Sequence, residues 1–290
     1  MRAMTVAFAS VRRWNPEADL ELISNALPEP RHLSNLRGLG VEYKYVPFDH
    51  RPPEGFANIF AASLYLLDAL SVLSSETTLL LDPDVLCIRG VKDLLRDLDG
   101  HVGALDMGFP PSEDINGLTR ASAGALHAEL GEPAAEPLHY GGEAYVIPRE
   151  HAELISTRSE AAWKLALRRH AEGLPKFTTE EHILSYALRG VALKPLNGYV
   201  RRIWTTHRYR QVLGDESQLT LWHLPAEKDR GFRALYGPSL DSNSWFWTAD
   251  QAKFTDRCGR AMGLHHRTPL RLAKDVAGRS VYTAQRLLHR

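Results

Sequence analysis

Apolar positions along the first hundred residues change spacing several times, and each change predicts an element. Thr5 to Ala9 is a short apolar run that reads as a first strand, and Asp19 to Ala26 has helical composition. Val41, Tyr43 and Tyr45 alternate with Glu42 and Lys44, the period of a half-exposed strand. Pro52 and Pro53 mark a loop. Phe56, Ile59, Phe60, Leu64, Leu67 and Leu70 then recur every three or four residues, which predicts one apolar helical face. Thr77 to Leu81 is an unbroken apolar strand of the kind expected at the centre of a parallel sheet. It runs directly into Asp82-Pro83-Asp84. A second apolar burst, Val85 to Ile88, is followed by a turn at Gly90, a helix over Val91 to Leu98 and a strand over His101 to Leu105.

The pattern loosens between residues 108 and 138. Gly108, Pro110, Pro111, Gly117, Gly124, Gly131, Pro133 and Pro137 predict a loop-rich insertion, a candidate cover for a substrate. Regular patterning returns at Tyr140-Gly141-Gly142-Glu143, which leads into a strand over Ala144 to Ile147 that Pro148 ends. A long helix is predicted over Arg149 to Ala171. A shorter one spans Thr179 to Leu188, with Thr178 or Thr179 as its N-cap.

Composition narrows the class. The chain has 290 residues, with 35 Lys+Arg against 35 Asp+Glu and a formal net charge of zero. That balance argues against a general nucleic-acid binder, which needs a basic excess. Cys87 and Cys258 are too few for a disulfide framework or a four-thiolate zinc site, so a reducing cytoplasm is the simplest compartment. No run approaches the ~18 apolar residues of a membrane span. The N-terminal apolar run is too short for a signal peptide and meets Arg12 and Arg13 at once.

The main chemical signal is Asp82-x-Asp84 at the end of a buried strand. In extended chain the two carboxylates would face opposite sides, and Pro83 enforces a turn that brings them together. Such a pair suits Mg²⁺ or Mn²⁺ carrying substrate phosphates. It also lies where open α/β sheets bind ligands, outside the carboxyl ends of strands. The bland alternative is a turn cap beside a solvated loop residue.

Leu79 to Leu86 with the following Gly90-Val91-Lys92-Asp93-Leu94 resembles the DxD region of GT-A-fold glycosyltransferases, in particular the retaining group that includes glycogenin and bacterial lipopolysaccharide galactosyl- and glucosyltransferases. The resemblance covers roughly residues 56 to 232 and is one of pattern. It implies a Rossmann-like mixed sheet flanked by helices, the loop-rich insertion and a helical C-terminal tail. It also implies a domain over 1–263, with a nucleotide-sugar half to about 107 and an acceptor half from about 138. Asp82 and Asp84 would then ligate Mn²⁺ or Mg²⁺ that bridges the diphosphate of a nucleotide-sugar, a UDP-sugar first of all. His223 in Leu221-Trp222-His223 matches the group's third metal ligand. Lys228 matches its phosphate-contacting lysine, although the intervening glycine is missing and the spacing is one residue short.

Two further stretches carry the resemblance. Tyr140-Gly141-Gly142-Glu143 looks like the turn beside the donor sugar in the blood-group-transferase branch, with Gly141 and Gly142 letting backbone approach the ligand; the alternative is an ordinary tight turn. Thr178-Thr179-Glu180-Glu181-His182 resembles that branch's acidic helix start, which selects Glu180 as the carboxylate beside the anomeric carbon. The glycogenin-like pattern selects Glu181 instead. The alternative for both is stabilisation of a helix N-terminus by acidic side chains. The resemblance puts the nucleotide base after the first strand, where Ser10, Arg12, Arg13 and Trp14 are the candidates.

The function so implied is metal-dependent transfer of a sugar to a hydroxyl acceptor, with retention. Two rivals remain at this level: a phosphohydrolase of the haloacid-dehalogenase kind, and a carbohydrate-binding protein on a decayed transferase fold. Residues 264–290 carry six Lys or Arg and one Asp. They read as a basic helical tail suited to weak peripheral association with the inner membrane face.

Overall fold

The computed structural model describes residues 1–56, 60–133, 136–206, 209–265 and Ala273. Helix α1 (Arg2–Trp14) is followed by β1 (Leu20–Ser24), α2 (Pro30–Gly38) and β2 (Val41–Tyr45). Then come α3 (Tyr65–Leu70), β3 (Thr77–Leu81), β4 (Val85–Cys87), α4 (Lys92–Leu98) and β5 (Val102–Asp106). The insertion holds β6 (Asp114–Ile115), β7 (Leu118–Thr119) and α5 (Arg120–Glu129). Beyond it lie β8 (Tyr140–Pro148), α6 (Arg149–Ala171), α7 (Glu180–Ala187), β9 (Leu193–Pro195), β10 (Val200–Arg202) and β11 (Leu221–His223). Helices α8 (Gly231–Leu240), α9 (Trp245–Thr248) and α10 (Gln251–Ala261) close the described chain.

The central sheet has the order β3-β8-β5-β9, antiparallel at its first two pairings and parallel at the third. Strands β1 and β2 form a parallel pair, joined by α2 as a crossover. A third sheet, β10-β11-β4, carries the functional centre. Helix α1 packs against two of these groups. Its Met4, Phe8 and Val11 cover Leu20, Leu22, Leu36 and Val41, while Val11 and Trp14 also reach the cluster built on Val85, Leu94 and Leu105.

Four predicted elements are corrected here. Thr5 to Ala9 is helical: Thr5, Val6, Ala9 and Ser10 are buried together, and their separations of three and four residues are those of one face of a helix. Asp19 to Ala26 contains strand β1, because Leu20 and Leu22 face inward on either side of exposed Glu21, a period of two. Strand β3 is not central to a parallel sheet. Among the described residues it pairs with β8 alone, antiparallel, and Leu79, Leu80 and Leu81 are half-buried. The helical face predicted from Phe56 onward begins only after Phe60, whose positive φ of 61° breaks it, and Phe60 is 58% exposed. Leu64, Leu67 and Leu70 are buried as expected, and Ile59 lies outside the described residues.

The insertion is more ordered than its composition implies. Asn116 and Gly117 both have positive φ, the requirement of a tight β6–β7 hairpin turn. Thr119 caps α5 by accepting from Ser122 N, and Ala123 and Leu126 join the core with Phe177 and Tyr186. Helix α6 has the predicted bounds, and Thr179 is the N-cap of α7. Of the basic tail, only Leu264, His265 and Ala273 are described, so its predicted helix and membrane role lie outside the described residues. No helix among the described residues is long and apolar enough to cross a membrane.

Candidate active site

The site is built where β3 hands over to β4. Val85 N donates to Asp82 O at 3.1 Å, which closes a turn with Pro83 and Asp84 at its centre. Strand β11 lies antiparallel to β4 with His223 opposite Val85, so the imidazole falls beside the turn. Nε2 of His223 is 3.4 Å from Asp84 Oδ2 and 3.7 Å from Asp82 Oδ2. One ligand atom from each of Asp82, Asp84 and His223 lies within 4.8 Å of the others. Both Asp84 oxygens are buried without a hydrogen-bond donor, although Lys228 Nζ stands 3.1 Å from Oδ2 as an ion-pair neighbour. Orphaned buried carboxylate oxygens facing a second carboxylate and an imidazole fit a divalent cation of the Mn²⁺ or Mg²⁺ class.

The electrostatics agree with that donor set. Burial and the neighbouring carboxylates raise the Asp82 carboxyl to about 6, against the opposing charge of His223. For Asp84, burial works upward, and His223 with Lys228 outweighs it and holds the group below the usual range. For His223, burial works downward, and Asp84 with Glu143 outweighs it and lifts the imidazole to about 9.

A second carboxylate cluster adjoins the first. Strand β8 is irregular here. Its pairing with β5 skips from Tyr145 to Gly141, so Gly142, Glu143 and Ala144 bulge out of that ladder. Glu143 is fully buried and accepts from Arg202 Nε at 2.9 Å and Nη2 at 2.7 Å. Arg202 also pairs with Glu181, which accepts from Gly142 N at 3.0 Å and lies 3.1 Å from His139 Nε2. Burial tends to raise the Glu181 carboxyl, but His139 and Arg202 override it and hold the group far below the usual range. Glu180 goes the other way: burial, then the charge of Glu181, pushes it up to about 8. Ser63 Oγ contacts both Glu180 and, at 2.7 Å, Phe60 O. The Ser63 hydroxyl donates toward both Glu180 Oε2 and Phe60 O, so its one proton is shared between two acceptors.

The two glycines serve this cluster. A Cβ on Gly142 would sit 2.7 Å from Glu180 Oε1, and one on Gly141 would collide with Glu143 and lie 2.9 Å from Arg202 Nη2. They make room for buried carboxylates, where the sequence reading assigned that room to a ligand.

Ser10 and Arg12, the nucleotide candidates of the sequence, both make bonds within the framework. Ser10 Oγ is buried, donates to Ala7 O and accepts from Cys87 N at 2.9 Å, tying α1 to β4. Arg12 donates to the carbonyls of Leu39, Pro16 and Ala18. Arg13 donates to Phe246 O and Ala249 O and stacks on Trp14 and Phe254. Glu143, Arg202, His139 and Ser63 were missed as site residues. Glu143 was adjacent to the Gly-Gly signal, whereas nothing local distinguishes Arg202 from other arginines.

The mixed α/β architecture is the GT-A fold. No protein-family model matches the chain, and no curated protein matches its sequence. Solved structures do. The galactosyltransferase LgtC in complex with donor and acceptor sugar analogues is similar over 94% of this chain and 95% of that one, with a TM-score of 0.52 and 14% identity. An active-site mutant of LgtC matches over 89% of this chain and 91% of that one, with a TM-score of 0.52 and 16% identity.

Proposed function

We propose that this protein is a metal-dependent glycosyltransferase that moves a sugar from a nucleoside-diphosphate sugar to a hydroxyl acceptor with retention. The observation that carries the reading is the convergence of Asp82, Asp84 and His223 on one point, with both Asp84 oxygens buried and outside any hydrogen bond. A divalent cation held there supplies charge neutralisation for a departing diphosphate. Lys228 extends from the same cluster as a point charge for that diphosphate. Beside it opens a cavity of about 650 Å³ where Arg2, Arg31, Lys228 and Arg233 outnumber Glu29 and Asp229, a net basic recess suited to the anionic end of a UDP-sugar.

The carboxylate pair divides the remaining work. Glu181 is an anion engaged by three neighbours, and it orients Gly142 and Arg202. Glu180 touches only Ser63 by side-chain hydrogen bond among the described residues, and in its ionised form it is the carboxylate that can stabilise positive charge at an anomeric carbon. The acceptor is a glycan, a lipid-linked sugar or a small molecule bearing a hydroxyl.

Thermal unfolding in Mn²⁺ with a panel of nucleotide-sugars tests the reading. A donor at 100 Kd adds about 2.7 kcal/mol of stability, and diphosphate release should follow on adding acceptor sugars. Absence of Mn²⁺-dependent stabilisation by every nucleoside diphosphate, or phosphate release from simple esters instead, overturns it.

A further inference from the structure

Glu143 has no part in the donor set described above, yet three separate features place it behind His223. The bulge in β8 releases it from the ladder with β5. Gly141 leaves the volume that its carboxylate and Arg202 fill. Strand β10 pairs with β11 so that Arg202 stands opposite His223, which sets the guanidinium beside the imidazole. The outcome is a fully buried carboxylate gripped at both oxygens by Arg202, with Oε1 3.4 Å from His223 Nδ1. That Nδ1 is itself buried and makes no hydrogen bond among the described residues, which leaves the Glu143 carboxylate, 3.4 Å away, as its charged neighbour. The opposite ring nitrogen, Nε2, is the one that faces Asp82 and Asp84.

We infer that Glu143 is a positioning residue of the metal centre: immobilised by Arg202, it holds the Nδ1 proton of His223 and thereby presents the Nε2 lone pair to the point shared with Asp82 and Asp84. The bond that one ring nitrogen makes decides which of the two is free to ligate, and a carboxylate behind a ligating imidazole also raises its basicity. Arg202 extends the arrangement. The same guanidinium grips Glu181, so the orientation of His223 and the charge of the Glu180–Glu181 pair depend on one side chain. A single buried ion pair serving only stability needs neither the bulge nor the register that brings it to the imidazole.

The inference rests on the metal-dependent reading, and the tests separate the two. Mn²⁺ binding to the whole protein is measured by titration for the wild type and for Glu143→Gln, with circular dichroism to establish folding. The expected result is a roughly 10–100-fold weaker Mn²⁺ affinity in the folded variant; unchanged affinity overturns the inference. If Glu143→Gln does not fold, ¹⁵N-histidine NMR of the metal-free wild type at about pH 10, where the ring is neutral, decides the matter, with His223→Gln for assignment. A proton on Nδ1 of His223 supports the positioning role, and a proton on Nε2 overturns it. Failure of the wild type to bind Mn²⁺ sinks the metal-dependent reading, and the tautomer still reports on Glu143.

Discussion

Two pairs of carboxylates, Asp82 with Asp84 and Glu180 with Glu181, meet the same neighbourhood and acquire opposite characters. In the first pair, the oxygens of Asp84 are buried without donors, and the nearest cation, Lys228, reaches one of them from the exposed side. In the second, Arg202, His139 and the Gly142 amide all converge on Glu181, and Glu180 is left with Ser63. A pair with unsatisfied acceptors around a common point invites a cation. A pair in which one member takes all the countercharge separates into a fixed anion and a protonated acid, which is how like charges at close range settle. Local countercharge, more than residue type, decides which kind of site a carboxylate pair becomes.

The largest expected effect comes from removing the first pair's charge. Asp84→Asn or Asp82→Asn should lower sugar transfer by about 10³-fold or more, since charge stabilisation at a leaving group carries the largest share of such catalysis. The fold should persist, because the turn is held by backbone. A kinetic assay at limiting Mn²⁺ checks this, and near wild-type turnover in either variant would mean that the two pairs do not differ as argued.

Arg202→Met attacks the countercharge itself. It strands Glu143, fully buried, and Glu181 together, and should lower stability by about 3–5 kcal/mol. Denaturant unfolding measures this. A loss below ~1 kcal/mol would show that Glu181 is held by His139 and the Gly142 amide without help.

Within the second pair, Glu180→Gln should reduce kcat by about 10²-fold with donor KM little changed. Glu181→Gln should raise KM and lower stability, because it loosens the Arg202 network. Equal small effects at both positions would reduce the pair to a helix-dipole role. Gly142→Ala sharpens the same contrast. Its Cβ would meet Glu180 Oε1 at 2.7 Å, so it should impair kcat while Mn²⁺ affinity stays near wild type.

The smallest effect concerns pH. The Glu180 carboxyl is raised to about 8 in the folded state, so its stabilising contribution is complete below the ordinary carboxylate pKa and declines as pH rises toward 8. Glu181 is depressed, so its contribution is present above the ordinary pKa and declines in acid. Glu180→Gln, which mimics the protonated form, should therefore raise the Tm relative to wild type by roughly 3–6 °C at about pH 9 and by little at about pH 5. Calorimetric scans across that range test the sign, and a parallel shift at both pH values would remove Glu180 from the titration.

Much of this site was legible in residue order. The Asp-Pro-Asp turn, the Gly-Gly start of β8 and the Thr179 cap with its two acids are each short-range signals, whereas His223 came forward only through the family resemblance. Turn chemistry, glycine tolerance and capping act over a few residues, and a linear reading captures them. Strand and helix identity near the N-terminus was not legible, because Thr5 to Ala9 is apolar on all sides and its period shows only through which of Thr5, Val6, Ala9 and Ser10 are buried by partners from elsewhere. For the same reason Ser10 and Arg12 looked free in sequence and are committed to Cys87 and to the carbonyls of Leu39, Pro16 and Ala18 in the fold. Which glutamate is the anion was likewise undecidable from Glu180-Glu181 alone. That choice depends on Arg202, about twenty residues away in the chain, which the pairing of β10 with β11 delivers to Glu181 and Glu143 at once. The sequence determined which groups could do chemistry and where the chain must turn to expose them. The tertiary structure decided which of those groups are charged, because charge in a buried site is set by through-space neighbours that strand pairing alone brings together.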